Sequence, residues 1–234
     1  IDAVESFAAD VAHEIKNPLA SLRSALETLE KVEDADLRRQ LTAIATHDVH
    51  RIDRLVTEIS EASRIDAELS RTEFVPVDLH ALAAALVSAR EQRGENRGLT
   101  LVLEPHGPGP WEVPGDTARL ERVLENLIDN AVSFSPPGGR ITLRLEHHGE
   151  RIELSVIDEG PGIPAAAREK VFERFHSLRP TEEAFGNHSG LGLAIARTIV
   201  AAHDGTLIAT DREDGRAGAC LVVELPALGE EDEE

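Results

Sequence analysis

The stretch AHEIKNPL, residues 12–19, lies in a run of apolar residues that recur at alternating steps of four and three. This repeat is that of a helix whose apolar seam packs against a partner, and its members are Ala8, Ala12, Ile15, Leu19, Leu22, Leu26 and Leu29. His13 follows a seam position, and Asn17 lies one turn further on the same face. Pro18 cannot donate a hydrogen bond to the carbonyl of Glu14, so we expect a bend there. The pattern predicts a helix with an exposed histidine, and an isolated histidine of this kind is more often part of an ordinary solvated face.

A second helical repeat begins after the charged break at residues 33–36. Its apolar positions are Leu37, Leu41, Ile44, Ile52, Leu55, Ile59 and Ala62. The break suits a short turn between two antiparallel helices. A single hairpin leaves its apolar stripe uncovered, so we predict a homodimer whose two hairpins form a four-helix bundle. The alternative is that the hairpin packs on the C-terminal part of its own chain.

Composition excludes several classes of function. The 234 residues carry a net charge of −20, which argues against nucleic acid and against anionic membrane surfaces as partners. Cys220 is the single cysteine, so no internal disulfide forms, and its apolar surroundings predict a buried strand thiol. No apolar run is long enough to span a bilayer. The sequence contains no methionine, so we expect it to be part of a longer protein.

Beyond residue 75 the chain gains glycine and proline and mixes strand patterns with helical ones. The predicted strands are Thr100–Leu103, Trp111–Val113, Ile141–Leu145, Ile152–Ile157, Thr206–Thr210 and Cys220–Leu225. The predicted helices are Leu79–Arg93, Thr117–Phe134 and Gly192–His203. Strands and helices do not alternate regularly, so the pattern favours an α+β two-layer sandwich over a doubly wound sheet. The acidic run at residues 229–234 is typical of a disordered end.

Three short motifs in this second part suggest a nucleotide site, although each alone is common in proteins. Asn126 and Asn130 lie one helical turn apart, and amide oxygens are ligands suited to Mg²⁺. Asp158 follows an apolar strand and precedes two glycines, so its carboxylate can accept hydrogen bonds from a flat base. The stretch SGLGL, residues 189–193, opens a helix whose free N–H groups can meet phosphates. A long polar segment between the last two motifs has the character of a lid.

In this order the motifs resemble those of sensor histidine kinases of two-component systems, over essentially the whole chain. Residues 12–19 resemble the H box, residues 126–131 the N box and residues 158–163 the G1 box; FERF at 172–175 resembles the F box and GLGL at 190–193 the G2 box. The segment FGNHSGLG at 185–192 is similar to that of the acid-responsive sensor kinases of rhizobia and agrobacteria. The resemblance implies a dimeric helical phosphotransfer domain joined to an ATP-binding domain of the gyrase, Hsp90 and histidine kinase type.

The resemblance implies roles for three residues of the first helix. His13 is the phosphoacceptor that attacks the γ-phosphorus of ATP, and Glu14 takes the proton from the other ring nitrogen. The phosphoryl group then passes to an aspartate of a response regulator. Asn17 lies where a docked regulator passes, and a carboxamide there can orient water for regulator dephosphorylation. The other interpretation of Asn17 is a tolerated polar residue before Pro18.

The resemblance also implies the nucleotide-binding residues. Asn130 ligates Mg²⁺, Asn126 lies near the same phosphates, Asp158 accepts from the adenine amino group, and Arg174 steadies the γ-phosphate. The other implied binding residues are Gly160, Gly162, Lys170, Gly190, Leu191 and Gly192. The sequence departs from the family pattern at two places. Position 133 is Ser where the family usually has a basic residue, and residues 176–177 are His-Ser where an aromatic-basic pair is common. Neutralisation of the phosphate charge is therefore expected to depend more on Arg174, Lys170 or Arg179. Autophosphorylation is therefore expected to be slow.

Other functions fit the sequence less well. A degenerate nucleotide-binding scaffold without phosphotransfer remains the alternative, and the retained His13, Asn130 and Asp158 argue against it. A gyrase-like ATPase needs an acidic base at position 126, which is Asn here. The expected domains are residues 1–68 for dimerisation and phosphotransfer, 69–78 as linker, 79–228 for catalysis and 229–234 as acidic tail. The resemblance places them in the cytoplasmic portion of a bacterial inner-membrane protein, with no membrane contact by this fragment.

Overall fold

The computed structural model describes residues 2–68, 74–176 and 190–229. These residues form two compact units, one built on the first two helices and the other on residues 74–176 and 192–229. The helices are α1 Asp2–Leu29, α2 Ala35–Glu68, α3 Leu79–Arg93, α4 Thr117–Phe134 and α5 Gly192–Ala202. The strands are β1 Val75–Asp78, β2 Thr100–His106, β3 Glu112–Gly115, β4 Arg140–His148, β5 Arg151–Ile157, β6 Thr206–Asp211 and β7 Ala219–Pro226.

The turn between α1 and α2 is fixed by side chains that satisfy the helix ends. The Asp34 carboxylate accepts hydrogen bonds from the backbone N–H groups of Asp36 and Leu37 at 2.9 and 2.8 Å, and so caps α2. The Arg38 guanidinium donates to the carbonyls of Leu29 and Val32 at 2.9 Å each, and so satisfies carbonyls at and just beyond the end of α1. The predicted charged break is therefore a helix–helix turn.

The predicted apolar stripes of the hairpin are only partly buried. Ala25, Ala45 and Leu55 are buried, and Pro18 is buried inside a helix that continues to Leu29. Leu19 and Leu26 of α1 are 48% and 50% exposed. On α2 the exposed apolar side chains are Leu37, Ile44, Val49 and Val56. The hairpin thus leaves apolar side chains exposed on both helices, with Leu19 and Leu26 on one face of α1. The predicted bend at Pro18 stays a prediction.

The second unit is a two-layer α/β sandwich, as predicted. Its five-stranded sheet has the order β2-β4-β5-β7-β6, in which only β2 and β4 are parallel. Helix α4 packs against both α3 and α5, and all three helices pack on this sheet. A separate two-stranded sheet pairs β1 with β3. Asp78 caps α3 and Asp116 caps α4 through their carboxylates, which explains why both helices begin where the sequence predicts.

Some predicted limits shift in the structure. Residues 75–78 of the predicted linker form strand β1, although Pro76 has no backbone N–H group to donate to a neighbouring strand. The strand predicted at Trp111–Val113 is β3 at Glu112–Gly115, and α5 ends at Ala202 instead of His203. The other strands extend one to three residues beyond their predicted ends. The following lie outside the described residues: residues 69–73, the part of the predicted lid at 177–188, which includes Arg179, the acidic run from 230, and the side chains of Ala8 and Ala62.

His203 ties the ends of two helices together just after α5. Its ring is 1% exposed; Nε2 accepts from the Asp116 N–H at 3.1 Å, and Nδ1 lies 2.8 Å from the Ile199 carbonyl, to which it donates. These two partners define a neutral imidazole. The ring also stacks on Phe74, with centroids 4.5 Å apart and planes within 8°. Burial lowers the pKa of His203 below its ordinary value of 6.5.

Candidate functional site

The helical unit presents His13 to solvent. His13 and Asn17 are both exposed on α1, one turn apart, as the spacing predicts. Glu14, the next residue after His13, is half-buried and turns towards α2. Its Oε2 accepts a hydrogen bond from Nη2 of Arg51 at 3.2 Å. An imidazole exposed to solvent therefore stands next to a carboxylate that the second helix holds.

Asp158 forms the deepest part of the candidate site in the second unit. It follows β5 and is 2% exposed, and its Oδ1 accepts from the backbone N–H groups of Gly160 and Ala219 at 2.8 and 2.9 Å. Burial raises the pKa of this carboxyl, while these two bonds and the Arg212 charge oppose the rise. Among the described residues, both hydrogen bonds to the carboxylate reach Oδ1. Oδ2 is thus the oxygen that can accept from a ligand.

The glycines of the Asp158 turn are required by close backbone packing. A Cβ on Gly160 would lie 2.8 Å from the Phe134 carbonyl oxygen at the end of α4 and 3.0 Å from Asp158 Oδ1. Gly162 has φ +80°, and a Cβ there would lie 2.9 Å from the Gly218 carbonyl oxygen. Both predicted binding glycines therefore let α4 and the turn before β7 approach Asp158.

The asparagine pair lies on α4 beside the start of α5. Asn126 and Asn130 are half-buried, and Asn126 Nδ2 is buried with no hydrogen-bond partner among the described residues. A Cβ on Gly192 would lie 3.3 Å from Asn126 Oδ1, so the first residue of α5 touches this amide. Gly190, with φ +75°, and the buried Leu191 precede it. The structure thus places Gly160, with Asp158 beside it, at the C-terminal end of α4, and it places Gly192 against Asn126 in the middle of this helix.

The F-box segment is anchored to α5. Lys170–Phe172 form a 3-10 turn in which Val171 and Phe172 are buried. The guanidinium of Arg197, on α5, lies 5.0 Å from the centre of the Phe172 ring and 3.0 Å from a Glu169 carboxylate oxygen. Lys170 and Arg174 are exposed at this turn. Both predicted cations therefore lie at the protein surface.

Sequence reasoning missed Arg212 as a support of this site. Its Nη1 donates to the Asp158 carbonyl at 2.8 Å, while Nε and Nη2 hold the Asp214 carboxylate at 3.0 and 2.5 Å. The hydrogen bond to Arg212 lowers the pKa of Asp214 to about 2. Gly218, with φ +141°, packs against the Asp158 backbone from the same turn. The glycines of the segment DREDGRAG, residues 211–218, were the available signal in the sequence. They do not show that this segment lies beside Asp158, because its position depends on the register of β7 against β5.

The donor set fits an adenine nucleotide. A buried carboxylate can accept from an exocyclic amino group, and a buried amide without a partner can serve a phosphate. The start of α5 supplies free N–H groups and the positive end of a helix dipole. Within residues 2–68, 74–176 and 190–229 no group of three or more His, Cys, Asp or Glu can hold a metal. A Mg²⁺ ion here would rely on an amide oxygen such as Asn130 together with phosphate oxygens and water.

Two families match the chain in separate parts. Residues 3–68 match the His Kinase A (phospho-acceptor) domain, and residues 115–229 match the family described as Histidine kinase-, DNA gyrase B-, and HSP90-like ATPase. A solved structure of the mycobacterial sensor histidine kinase MprB is 34% identical, with a TM-score of 0.55 over 65% of this chain and 97% of that one. The chain belongs to the sensor histidine kinases of two-component systems. Its predicted fold and family are thereby confirmed.

Two curated proteins, both named Sensor protein ChvG, are similar over most of this chain. The protein of Agrobacterium fabrum is 44% identical and that of Rhizobium meliloti 46%, each over 97% of this chain. These matches place the chain in the rhizobial and agrobacterial group predicted from the sequence. The chain spans about two fifths of their length, 40% and 41%. None of the helices in the described ranges is both long and apolar enough to cross a lipid bilayer.

A further sensor histidine kinase has been solved with its partner. The crystal structure of histidine kinase ThkA in complex with the response regulator protein TrrA is 26% identical and has a TM-score of 0.74. The match covers 95% of this chain and 61% of that one. The similarity therefore extends over both units of the chain.

Proposed function

We propose that this chain phosphorylates its own His13 from ATP and passes the phosphoryl group to an aspartate of a response regulator. The observation that carries the proposal is the pairing of two features. His13 is exposed beside a held Glu14 on α1, and in the other unit Asp158, Gly160, Asn126 and Gly192 form a site that fits an adenine nucleotide. Neither feature alone accounts for phosphotransfer.

In the proposed reaction, one ring nitrogen of His13 attacks the γ-phosphorus of ATP. A nitrogen–phosphorus bond forms, and the bond from that phosphorus to the β-phosphate bridging oxygen breaks. ADP leaves with the electron pair, and the proton of the other ring nitrogen passes to the Glu14 carboxylate. His13 must be exposed for this step, because it has to meet the nucleotide first and the regulator later.

The remaining residues bind and orient the nucleotide. Asp158 accepts from the adenine amino group, and Gly160 and Gly162 let the surrounding backbone pack closely around this carboxylate. Gly190, Leu191 and Gly192 present backbone N–H groups to the phosphates. Arg174 and Lys170 supply positive charge at the γ-phosphate. When bound, Mg²⁺ neutralises phosphate charge, with Asn130 as its protein ligand and Asn126 one turn away. Most of this catalysis is positioning and charge neutralisation.

The proposed partner is the receiver domain of a response regulator. The ThkA–TrrA complex supports this partner, because ThkA is similar over both units of the chain. Asn17, exposed one turn after His13, is proposed to orient water for dephosphorylation of the regulator. A kinase with this residue would act in both directions on the same regulator.

The proposed assembly is a homodimer through α1 and α2. Its support is the half-exposed apolar face of Leu19 and Leu26 together with Ile44, Val49 and Val56. The proposed domains are residues 1–68 for dimerisation and phosphotransfer, a catalytic domain that extends to 228 and a tail at 229–234. Because β1 pairs with β3, we move residues 75–78 from the linker predicted at 69–78 into the catalytic domain.

Two variants separate the two halves of the proposal. His13→Ala should bind Mg²⁺-ATP normally and take up no label from γ-labelled ATP. Asp158→Ala should lose ATP binding by more than about tenfold, because a buried acceptor is removed, and should remain a dimer. Binding is measured by calorimetry and assembly by sedimentation. Normal ATP binding with no labelling of the unmodified chain would instead indicate a scaffold without phosphotransfer.

A further inference from the structure

A single ion pair joins the residue after His13 to the second helix of the hairpin. Arg51 Nη2 lies 3.2 Å from Glu14 Oε2, although the two residues are 37 positions apart in sequence. The side chains are only 15% and 29% exposed. Such a pair is screened by salt much less than one on the open surface. It can therefore hold the Glu14 carboxylate in one place.

We propose that Arg51 is a positioning residue that acts on the phosphorylation of His13 through Glu14. The proposal rests on the proposed function, in which Glu14 receives the ring proton of His13. The bond from Arg51 occupies Oε2 and leaves Oε1 to take that proton. A glutamate side chain that is not held has several rotamers, and only some of them direct an oxygen at the neighbouring imidazole.

The surroundings of Arg51 argue against a role limited to neutralising buried charge. Asp48 precedes Arg51 by about one turn of α2 and is 6% exposed, so it is the obvious partner within the helix. The structure nevertheless contains no salt bridge between them within the described residues. Asp48 Oδ2 and Arg51 Nε are buried, and neither has a hydrogen-bond partner in that part of the chain. Arg51 therefore pairs with Glu14 and not with the buried carboxylate of Asp48.

The test is a double-mutant cycle on the single-turnover rate of His13 labelling at saturating Mg²⁺-ATP, in the whole 234-residue chain. Arg51→Met should lower this rate about tenfold while the KM for ATP stays unchanged, because orientation and not binding is lost. Glu14→Gln should lower the rate about a hundredfold through loss of the base. In the Glu14→Gln background Arg51→Met should cause no further loss, because its effect passes through Glu14.

Three further variants serve as controls. Asp48→Asn changes a buried charge on the same helix without touching Glu14, and should leave the rate unchanged. Arg23→Met removes an exposed pair with Glu27 on α1 and should likewise have no effect. Arg51→Lys keeps the charge and one donor nitrogen, so it should recover most of the rate with Glu14 present and change nothing with Glu14→Gln.

The proposal is overturned if Arg51→Met slows labelling by the same factor in both backgrounds, or if Asp48→Asn slows it as much. Should Arg51→Met fail to fold or to dimerise, Arg51→Lys decides: a rate that is about tenfold low with Glu14 present, or that falls further in the Glu14→Gln background, rejects the proposal. Labelling of the unmodified chain with none in His13→Ala supports the proposed function whatever Arg51 does. The two ideas can therefore fail separately.

Discussion

Replacing Gly160 with alanine tests whether close packing around Asp158 builds the nucleotide site. The added Cβ would lie 2.8 Å from the Phe134 carbonyl oxygen and 3.0 Å from Asp158 Oδ1. The Phe134 oxygen belongs to the backbone at the end of α4 and cannot rotate away, so α4 and the Asp158 turn must separate. Overpacking of this kind typically costs about 1–3 kcal/mol. The same movement disturbs the carboxylate that is proposed to bind adenine.

The assay compares Gly160→Ala with Gly229→Ala, where no atom of the residues that the structure describes lies within 4 Å of an added Cβ. Urea unfolding should show a loss of about 1–3 kcal/mol in the free energy of unfolding for Gly160→Ala. Calorimetry should show that the folded fraction of Gly160→Ala binds ATP more weakly than the unmodified chain does. Gly229→Ala should match the unmodified chain in both measurements. If Gly160→Ala does so as well, the packing argument is wrong.

Three other predictions follow from the described contacts. The pKa of His203 is lower in the folded chain than in the unfolded chain, so the unfolded chain binds a proton at this ring more readily. The stability contributed by the neutral ring is therefore complete above pH 6.5 and is lost as the pH falls below 6.5. This loss is at most about 1.4 kcal/mol per pH unit. Urea unfolding at pH 7.5 and 5.5 should therefore show a smaller loss for His203→Gln than for the unmodified chain, and equal losses would contradict this. Leu26→Glu places a charge on the exposed apolar face and should sediment as a monomer at micromolar concentration, whereas a persistent dimer would place the interface elsewhere. Asn17→Ala should keep His13 labelling and transfer but lose dephosphorylation of a regulator that was phosphorylated independently; unchanged dephosphorylation would leave Asn17 as a spacer before Pro18.

Local signals in the sequence were sufficient to predict most of the helices. Asp78 and Asp116 are caps that can be read from the sequence, and the limits of α3 and α4 agree with prediction for that reason. Strand β1 was missed because Pro76 removes a donor and the segment is only four residues long. Its pairing with β3 depends on residues almost forty positions away, which no local pattern indicates.

The candidate site was predictable as a set of motifs but not as a set of contacts. Asp158 and Gly160 stand where the motif predicts, and the structure adds the reason, which is the approach of α4 and β7. Arg212 supports Asp158 from 54 residues away, and Arg51 holds Glu14 from 37 residues away. These partners depend on strand register and on the relative rotation of two helices, both of which are tertiary properties.

The most direct test of the proposed function is the chemistry of the label that the chain takes up from γ-labelled Mg²⁺-ATP. The account predicts label that is stable in base and labile in acid, as expected of a phosphoramidate, and that is absent from His13→Ala. Label that is stable in acid, or that persists at the same level in His13→Ala, would contradict phosphorylation of His13.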